Sequence, residues 1–194
     1  MKKFLSYSLL IVTSALHGIT VDESIGGDLS GAFASPDPFT LDLGNNTLIG
    51  QIGANGNTGA TDGSDADYIF FTVEAGQELF SIVVDTYNTS GSSGSGSFFG
   101  YTEASSFTGQ GIGDIDGSTI FSSTSGNLLP ALQSGSTTPL PSGAYSFWLQ
   151  ETASVIVDYQ ITFATQAVPE SSAAALLAGI IASATLLPRR LRRN

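Results

Sequence analysis

Residues 155–163 read Val-Ile-Val-Asp-Tyr-Gln-Ile-Thr-Phe, with a large apolar side chain at every second position. Successive side chains of an extended strand point to opposite faces, so Val155, Val157, Tyr159, Ile161 and Phe163 share one face while Asp158, Gln160 and Thr162 share the other. A strand patterned this way is half wet, which places it in an antiparallel sheet laid over a core. Residues 144–150 repeat the device, with Tyr145, Phe147 and Leu149 inward and Ser146, Trp148 and Gln150 opposite. Phe80, Ile82, Val84 and Thr86 define a third inner face by the same rule, and shorter runs at 39–43, 47–52, 68–73, 98–101 and 119–121 add strands. No interior stretch shows sustained helical spacing. About eight short strands over roughly 150 residues predict a single all-β domain at 19–167, a jelly-roll-like β-sandwich large enough to fold without disulfides. The chain has no cysteine. Glu74-Ala75-Gly76-Gln77 is expected to be a short hairpin connection, and Leu140-Pro141-Ser142-Gly143 to lead into the strand at 144. Segments 55–65 and 90–97 have almost no large apolar side chains and are expected to be surface loops.

Charge narrows the chemistry. The six basic residues are Lys2, Lys3, Arg189, Arg190, Arg192 and Arg193, and the one histidine is His17. Residues 19–168 therefore hold no Lys, Arg or His, yet carry every one of the chain's 17 acidic residues except Glu170. Such a polyanion cannot neutralise phosphates, which excludes nucleic acid and leaves membrane contact to the terminal segments. No Ser-His or Cys-His relay, Lys Schiff base, thiolate or imidazole metal site, or arginine clamp can be built. Carboxylates, hydroxyls and amides remain.

The two ends read as addresses. Residues 1–18 open with Met-Lys-Lys and an apolar run from 4 to 16, the pattern of a secretory signal peptide. Residues 172–187 are uncharged and rich in Ala, Leu and Ile, and Pro188 leads into the arginine cluster. Sixteen helical residues rise about 24 Å, short of a bilayer core of about 30 Å, and the arginines would stay cytoplasmic, so the middle of the chain is expected outside. The order Val168-Pro169-Glu170, hydrophobic segment, arginine tail is similar to the PEP-CTERM sorting signal that bacterial exosortases recognise and process. The usual motif continues with a second proline where this chain has Ser171. The resemblance implies a sorting signal at 168–194, a signal peptidase and an exosortase-like enzyme as partners, and a membrane-anchored precursor whose product reaches the cell envelope or the extracellular matrix.

A second resemblance covers the interior. Residues 67–77, Asp-Tyr-Ile-Phe-Phe-Thr-Val-Glu-Ala-Gly-Gln, the later Gly143-Ala144-Tyr145 strand and Tyr159-Gln160-Ile161 are similar to the bacterial pre-peptidase C-terminal domain. That family pairs an Asp-Tyr-x-x-Phe strand ending in Ala-Gly-Gln with a late Gly-x-Tyr strand and a final Tyr-x-Ile strand. The resemblance implies a small β-sandwich appended to secreted enzymes or standing alone at a surface. Residues 90–140 read as an insertion relative to it.

Three constellations can carry chemistry. Asp62, Asp65 and Asp67 crowd before a strand and offer hard oxygens suited to calcium, which some domains resembling this family bind near the equivalent loop; acidic turn residues also serve simply as turn formers. Trp148, opposite the inner face, offers an indole for stacking on a sugar ring with Ser146 and Gln150 nearby. Glu103 and Glu151 are the acids available for a carboxylate hydrolase. The expected function is a non-catalytic exported surface or matrix protein, needing no cofactor unless calcium. The alternative is a carbohydrate- or calcium-dependent adhesion module, with extracellular polysaccharide as partner in either case.

Overall fold

The structure, a computed structural model, describes residues 18–54, 64–91, 96–151, 153 and 155–169. Residues 1–17, 55–63, 92–95, 152, 154 and 170–194, among them the segment expected to be a leader and most of the two segments expected to be surface loops, lie outside the described residues. The described residues are all-β, with nine strands: β1 (Thr20–Asp22), β2 (Asp37–Leu41), β3 (Gly44–Ala54), β4 (Ser64–Val73), β5 (Gln77–Thr89), β6 (Ser97–Thr102), β7 (Gly117–Phe121), β8 (Gly143–Gln150) and β9 (Ile156–Ala167). Among them, two single-turn α-helices, α1 (Glu23–Gly26) and α2 (Leu129–Leu132), and a 3-10 turn at Ile112–Asp114 interrupt the strands.

The strands form a sandwich of two sheets. The first runs β5-β9-β3, antiparallel throughout, with β1 added parallel to the middle of β3. The second runs β4-β8-β6-β7, with β2 added parallel to β4. They join at one corner, where Gly53 and Ala54 of β3 pair with Asp65 and Ser64 of β4. Gly53 has φ +111, and a Cβ there would strike the carbonyl of Val155, so the corner requires glycine.

The inner faces meet in one continuous core. Val157, Tyr159, Ile161 and Phe163 of β9 are all buried, as alternation requires, while Asp158 is exposed. Phe147 of β8 lies at the centre, 5.3 Å from the Phe163 ring, 5.7 Å from Phe99 and 5.8 Å from Phe71.

Three local expectations need correction. Phe80 is 40 % exposed while Leu79 and Ile82 are fully buried, because a bulge between Leu79 and Ser81 shifts the alternation by one residue, and a second shift between Val84 and Thr86 sets Thr86, expected inward, opposite Gln160 on the outer face. The turn at 74–77, closed by the Gln77 amide donating to the Glu74 carbonyl at 3.1 Å, carries the chain from the second sheet to the first and makes no hairpin. The outer face of β8 is dry: Ser146 and Trp148 are as buried as their inward neighbours. Segment 103–116, part of the insertion-like stretch, folds over that face, and its Phe107 and Ile115 join Phe33, Phe98, Ala66 and Tyr68 around Trp148 as a second apolar cluster.

The register makes a paired prediction. Phe147→Ala should destabilise the fold by about 3–5 kcal/mol, the usual cost of emptying a core aromatic site. Phe80→Ser should stay within about 0.5 kcal/mol, as at other exposed positions. Urea unfolding of both variants checks the shifted face; a larger loss for Phe80→Ser than for Phe147→Ala would contradict it.

Candidate functional site

β3 and β4 pair for only two residues and then diverge into different sheets, which leaves an edge of each strand to be satisfied elsewhere. β1 takes Thr47, Leu48 and Ile49 of β3. Between that pairing and the corner, on the edge of β3 away from β9, the Gln51 amide donates to Glu23 Oε2 at 2.8 Å. On the other side of the split, the Tyr68 amide of β4 donates to the Ser30 carbonyl at 2.8 Å, and the Ser30 amide donates to Asp37 Oδ2 at 2.7 Å. Residues 22–30 therefore bridge the gap as a strap. Its one turn of helix starts at Asp22, whose Oδ1 accepts from the Ser24 amide at 2.9 Å, and ends where Gly27, at φ 94, donates to the Glu23 carbonyl.

This strap brings Glu23 and Asp28 against Asp67. Asp67 shares the inner side of β4 with Ile69, Phe71 and Val73, and its relative exposure is 0 %. Carboxylate oxygens of Glu23, Asp28 and Asp67 all lie within 4.8 Å of one another. Tyr159, buried on β9, donates its hydroxyl to Asp67 Oδ2 in a short hydrogen bond. Asp67 Oδ1 is buried with no hydrogen-bond partner among the described residues. Gly50 keeps room for the arrangement: a Cβ there would collide with the Tyr159 hydroxyl and stand 2.8 Å from Glu23 Oε2.

The electrostatics follow from the sequence. Burial holds the Asp67 carboxyl well above the ordinary carboxylate range; the Tyr159 hydrogen bond pulls it partly back, and Asp65, Glu23 and Asp28 push it up again. Burial raises Tyr159 likewise, reinforced by Asp67. No Lys, Arg or His occurs between His17 and Arg189, so no side chain of the domain can supply a counter-charge. Only a proton or a bound cation can. Three carboxylates gathered within 4.8 Å, one of them with a buried oxygen that has no hydrogen-bond partner among the described residues, offer hard oxygens that suit calcium, which takes six to eight oxygen ligands.

The residues singled out from sequence divide. Asp62 lies outside the described residues, Asp65 is buried at the start of β4, and Asp67 belongs to the cluster. Glu23 and Asp28, about 40 residues upstream of Asp67, were not expected with it; a strand-forward reading offers no period that links a short strap to β4. Trp148 is only 8 % exposed and stacks on Tyr68 at 5.5 Å beneath Phe98 and Phe107, so its indole presents no sugar platform. Glu151 is buried, accepting from the Ser97 hydroxyl at 2.8 Å and the Ala153 amide at 2.7 Å. Glu103 follows the far end of β6, roughly 20 Å away at about 3.3 Å per residue, so the two acids do not form a hydrolytic pair. Val168 and Pro169 are exposed just past β9, with the Val168 amide held on the Gly76 carbonyl at 2.8 Å. Glu170 and Arg189, Arg190, Arg192 and Arg193 lie outside the described residues. Among the described residues no helix is long and apolar enough to cross a membrane.

Two measurements follow. In chelator, the raised Asp67 pKa means that the folded state holds this proton more tightly than the unfolded one. Its stabilising share is full below the unfolded value of about 3.9 and is lost as pH rises through the folded value. Metal-free protein should therefore melt lower at pH 7.5 than at pH 5, and Asp67→Asn, neutral throughout, should flatten the dependence. Because Trp148 is the chain's single tryptophan, its emission should be blue-shifted and resist acrylamide quenching; easy quenching would contradict the buried cluster. No protein-family model, curated protein or solved structure matches the chain.

Proposed function

We propose that this chain is an exported, non-catalytic protein of the cell surface or extracellular matrix, whose β-sandwich is closed by a calcium ion held by Glu23, Asp28 and Asp67. The observation that carries the calcium reading is the gathering of three carboxylates with oxygens within 4.8 Å of one another, one of them Asp67, whose buried Oδ1 has no hydrogen-bond partner among the described residues, in a domain with no cationic side chain. Bound there, the ion neutralises the charge that the fold has gathered and ties the strap to β4 across the split. The exported reading rests on the leader, on the similarity of 168–194 to a PEP-CTERM signal, and on the placement of Val168 and Pro169 in the open beyond the last strand, where a processing enzyme has access. The likeness to pre-peptidase C-terminal domains draws support from position: its quoted segments fall on β4, β8 and β9, and the first two of these strands pair directly. An acid-only surface suits a protein kept soluble outside the cell.

Calcium should raise the melting temperature of the full chain over its value in chelator. At an ion concentration one hundred times Kd the gain is about 2.7 kcal/mol. For a domain of this size that is roughly 5–10 °C. A Glu23→Gln, Asp28→Asn double variant should melt alike in both buffers; equal melting of the wild-type chain with calcium and with chelator would remove the calcium reading. For sorting, intact-mass measurement of envelope and secreted fractions should find a mature chain ending near Glu170, and replacing Pro169 and Glu170 with alanine should leave the precursor in the inner membrane. A mature wild-type chain that retains its arginines would refute the sorting reading.

A further inference from the structure

Two openings share the strap as a wall. One is a cleft of about 500 Å³ with Ile49, Gln51, Asp158 and Gln160 in its lining, and the other is a more apolar groove of about 760 Å³ lined by Val21, Leu29, Pro38 and Phe39. Asp22, Glu23 and Asp28 border both. The strap is fixed at each end. Asp22 pairs with Ile49 of β3, and Leu29 is packed into the core at 5 % exposure, followed by Ser30 with its bonds to Tyr68 and Asp37. Between those ends, from Ser24 to Asp28, every residue is exposed. Ile25, the one large apolar side chain among them, is 85 % exposed, and a Cβ on Gly26 or Gly27 would meet nothing within 4 Å. The bonds from Ser24 to Asp22 Oδ1 and from the Gly27 amide to the Glu23 carbonyl stay inside the strap. What reaches the sheets is carboxylate: Glu23 Oε2 accepts from the Gln51 amide, and Glu23 and Asp28 stand against Asp67.

We propose that residues 23–28 are a latch operated by the ion. With the cation held by Glu23, Asp28 and Asp67 they stay seated and keep cleft and groove apart; without it they lift between their fixed ends and join the two openings, while the sandwich stays folded. The proposal rests on the calcium reading above and adds to it a moving part. Like charges at the contact push the strap off the sheets, and no Lys, Arg or His lies between His17 and Arg189 to hold it on. A segment that buries no apolar side chain loses little else when it leaves, so its opening is far cheaper than unfolding the domain. The ion reverses the balance. It takes ligands from the strap and from β4 at once, so the strap can lift only by stripping oxygens from it. The ends are indifferent to the ion, because β1 is held by its pairing with β3 and Leu29 by the core.

The test follows two backbone amides of the full chain by hydrogen exchange, in calcium and in chelator. The Gln51 amide is bonded to Glu23, inside the latch, and the Tyr68 amide to Ser30, beyond its fixed end. In calcium both should be protected. In chelator the protection of Gln51 should fall about a hundredfold or more below that of Tyr68, while the Trp148 emission stays blue-shifted. A glutamate-specific protease should then cut first after Glu23, and calcium should suppress that cut. Asp28→Asn, which removes one ligand at an exposed position, should lower the protection that calcium confers on Gln51 and leave Tyr68 protected. If calcium raises the melting temperature but Gln51 is as protected as Tyr68 in chelator, or unprotected in both buffers, the latch is overturned and the calcium reading stands. Absence of the rise overturns both. Loss of both amides' protection together with the Trp148 signal in chelator would replace the latch by an ion that holds the whole sandwich.

Discussion

The fold turns on the two-residue pairing between β3 and β4. Two long strands that stayed paired would make one continuous sheet. By parting after Gly53 and Asp65 they instead supply a strand to each layer of the sandwich, and each strand then faces the open side with unsatisfied amides and carbonyls. β1 and β2 cover part of those edges in parallel pairings, which require a crossover rather than a tight turn. Residues 23–36 link β1 to β2 across the split, and their polar groups finish the work that the short strands cannot: Glu23 accepts from Gln51 and Ser30 accepts from Tyr68. A side-chain carboxylate is thus drawn into the split by a backbone requirement.

That requirement concentrates charge. Asp67 occupies an inner-face position of β4 that its neighbours fill with Ile69, Phe71 and Val73, and Glu23 arrives beside it because Gln51 needs an acceptor. Two carboxylates 4 Å apart repel by about 4 kcal/mol at an effective dielectric constant of 20. A tyrosine hydroxyl relieves one oxygen of Asp67 and leaves the other without a hydrogen-bond partner among the described residues. A domain with lysines or arginines would place one here. This domain has none, so the cluster is stable only with a proton or a bound cation, and its dependence on solution conditions follows from composition as much as from geometry.

The architecture was legible where side chains alternate without interruption. β9 obeys its pattern from Val157 to Phe163, and β8 keeps Tyr145, Phe147 and Leu149 inward. Alternation failed at Phe80 because a bulge inserts a residue without any sign in composition. It also misjudged Trp148: period two assigns the residue correctly to the outer face but says nothing of whether a distant segment covers that face, and here residues from 103 to 116 do. For the carboxylate cluster, sequence placed Asp67 among candidate ligands but looked to its neighbours Asp62 and Asp65 for partners. The partners come from a strap that reaches β4 only because the sheets part, and such contacts depend on topology that local periodicity does not encode.

The two outer faces of the sandwich are finished in different ways. On the second sheet, Trp148, Tyr68 and Phe98 would leave a broad apolar surface in water, and segment 103–116 closes over it, anchored by the Ser146 hydroxyl donating to the Ala104 carbonyl at 2.8 Å. On the first sheet, the outward residues satisfy one another in cross-strand pairs: Gln51 with Asp158, Thr162 with Asp85 at 2.6 Å, and Gln166 with Glu78 at 2.6 Å. A face already polar needs no cover. It stays open to solvent beside the strap, where Asp22, Glu23 and Asp28 border a cleft of about 500 Å³ together with Ile49, Gln51 and Asp158.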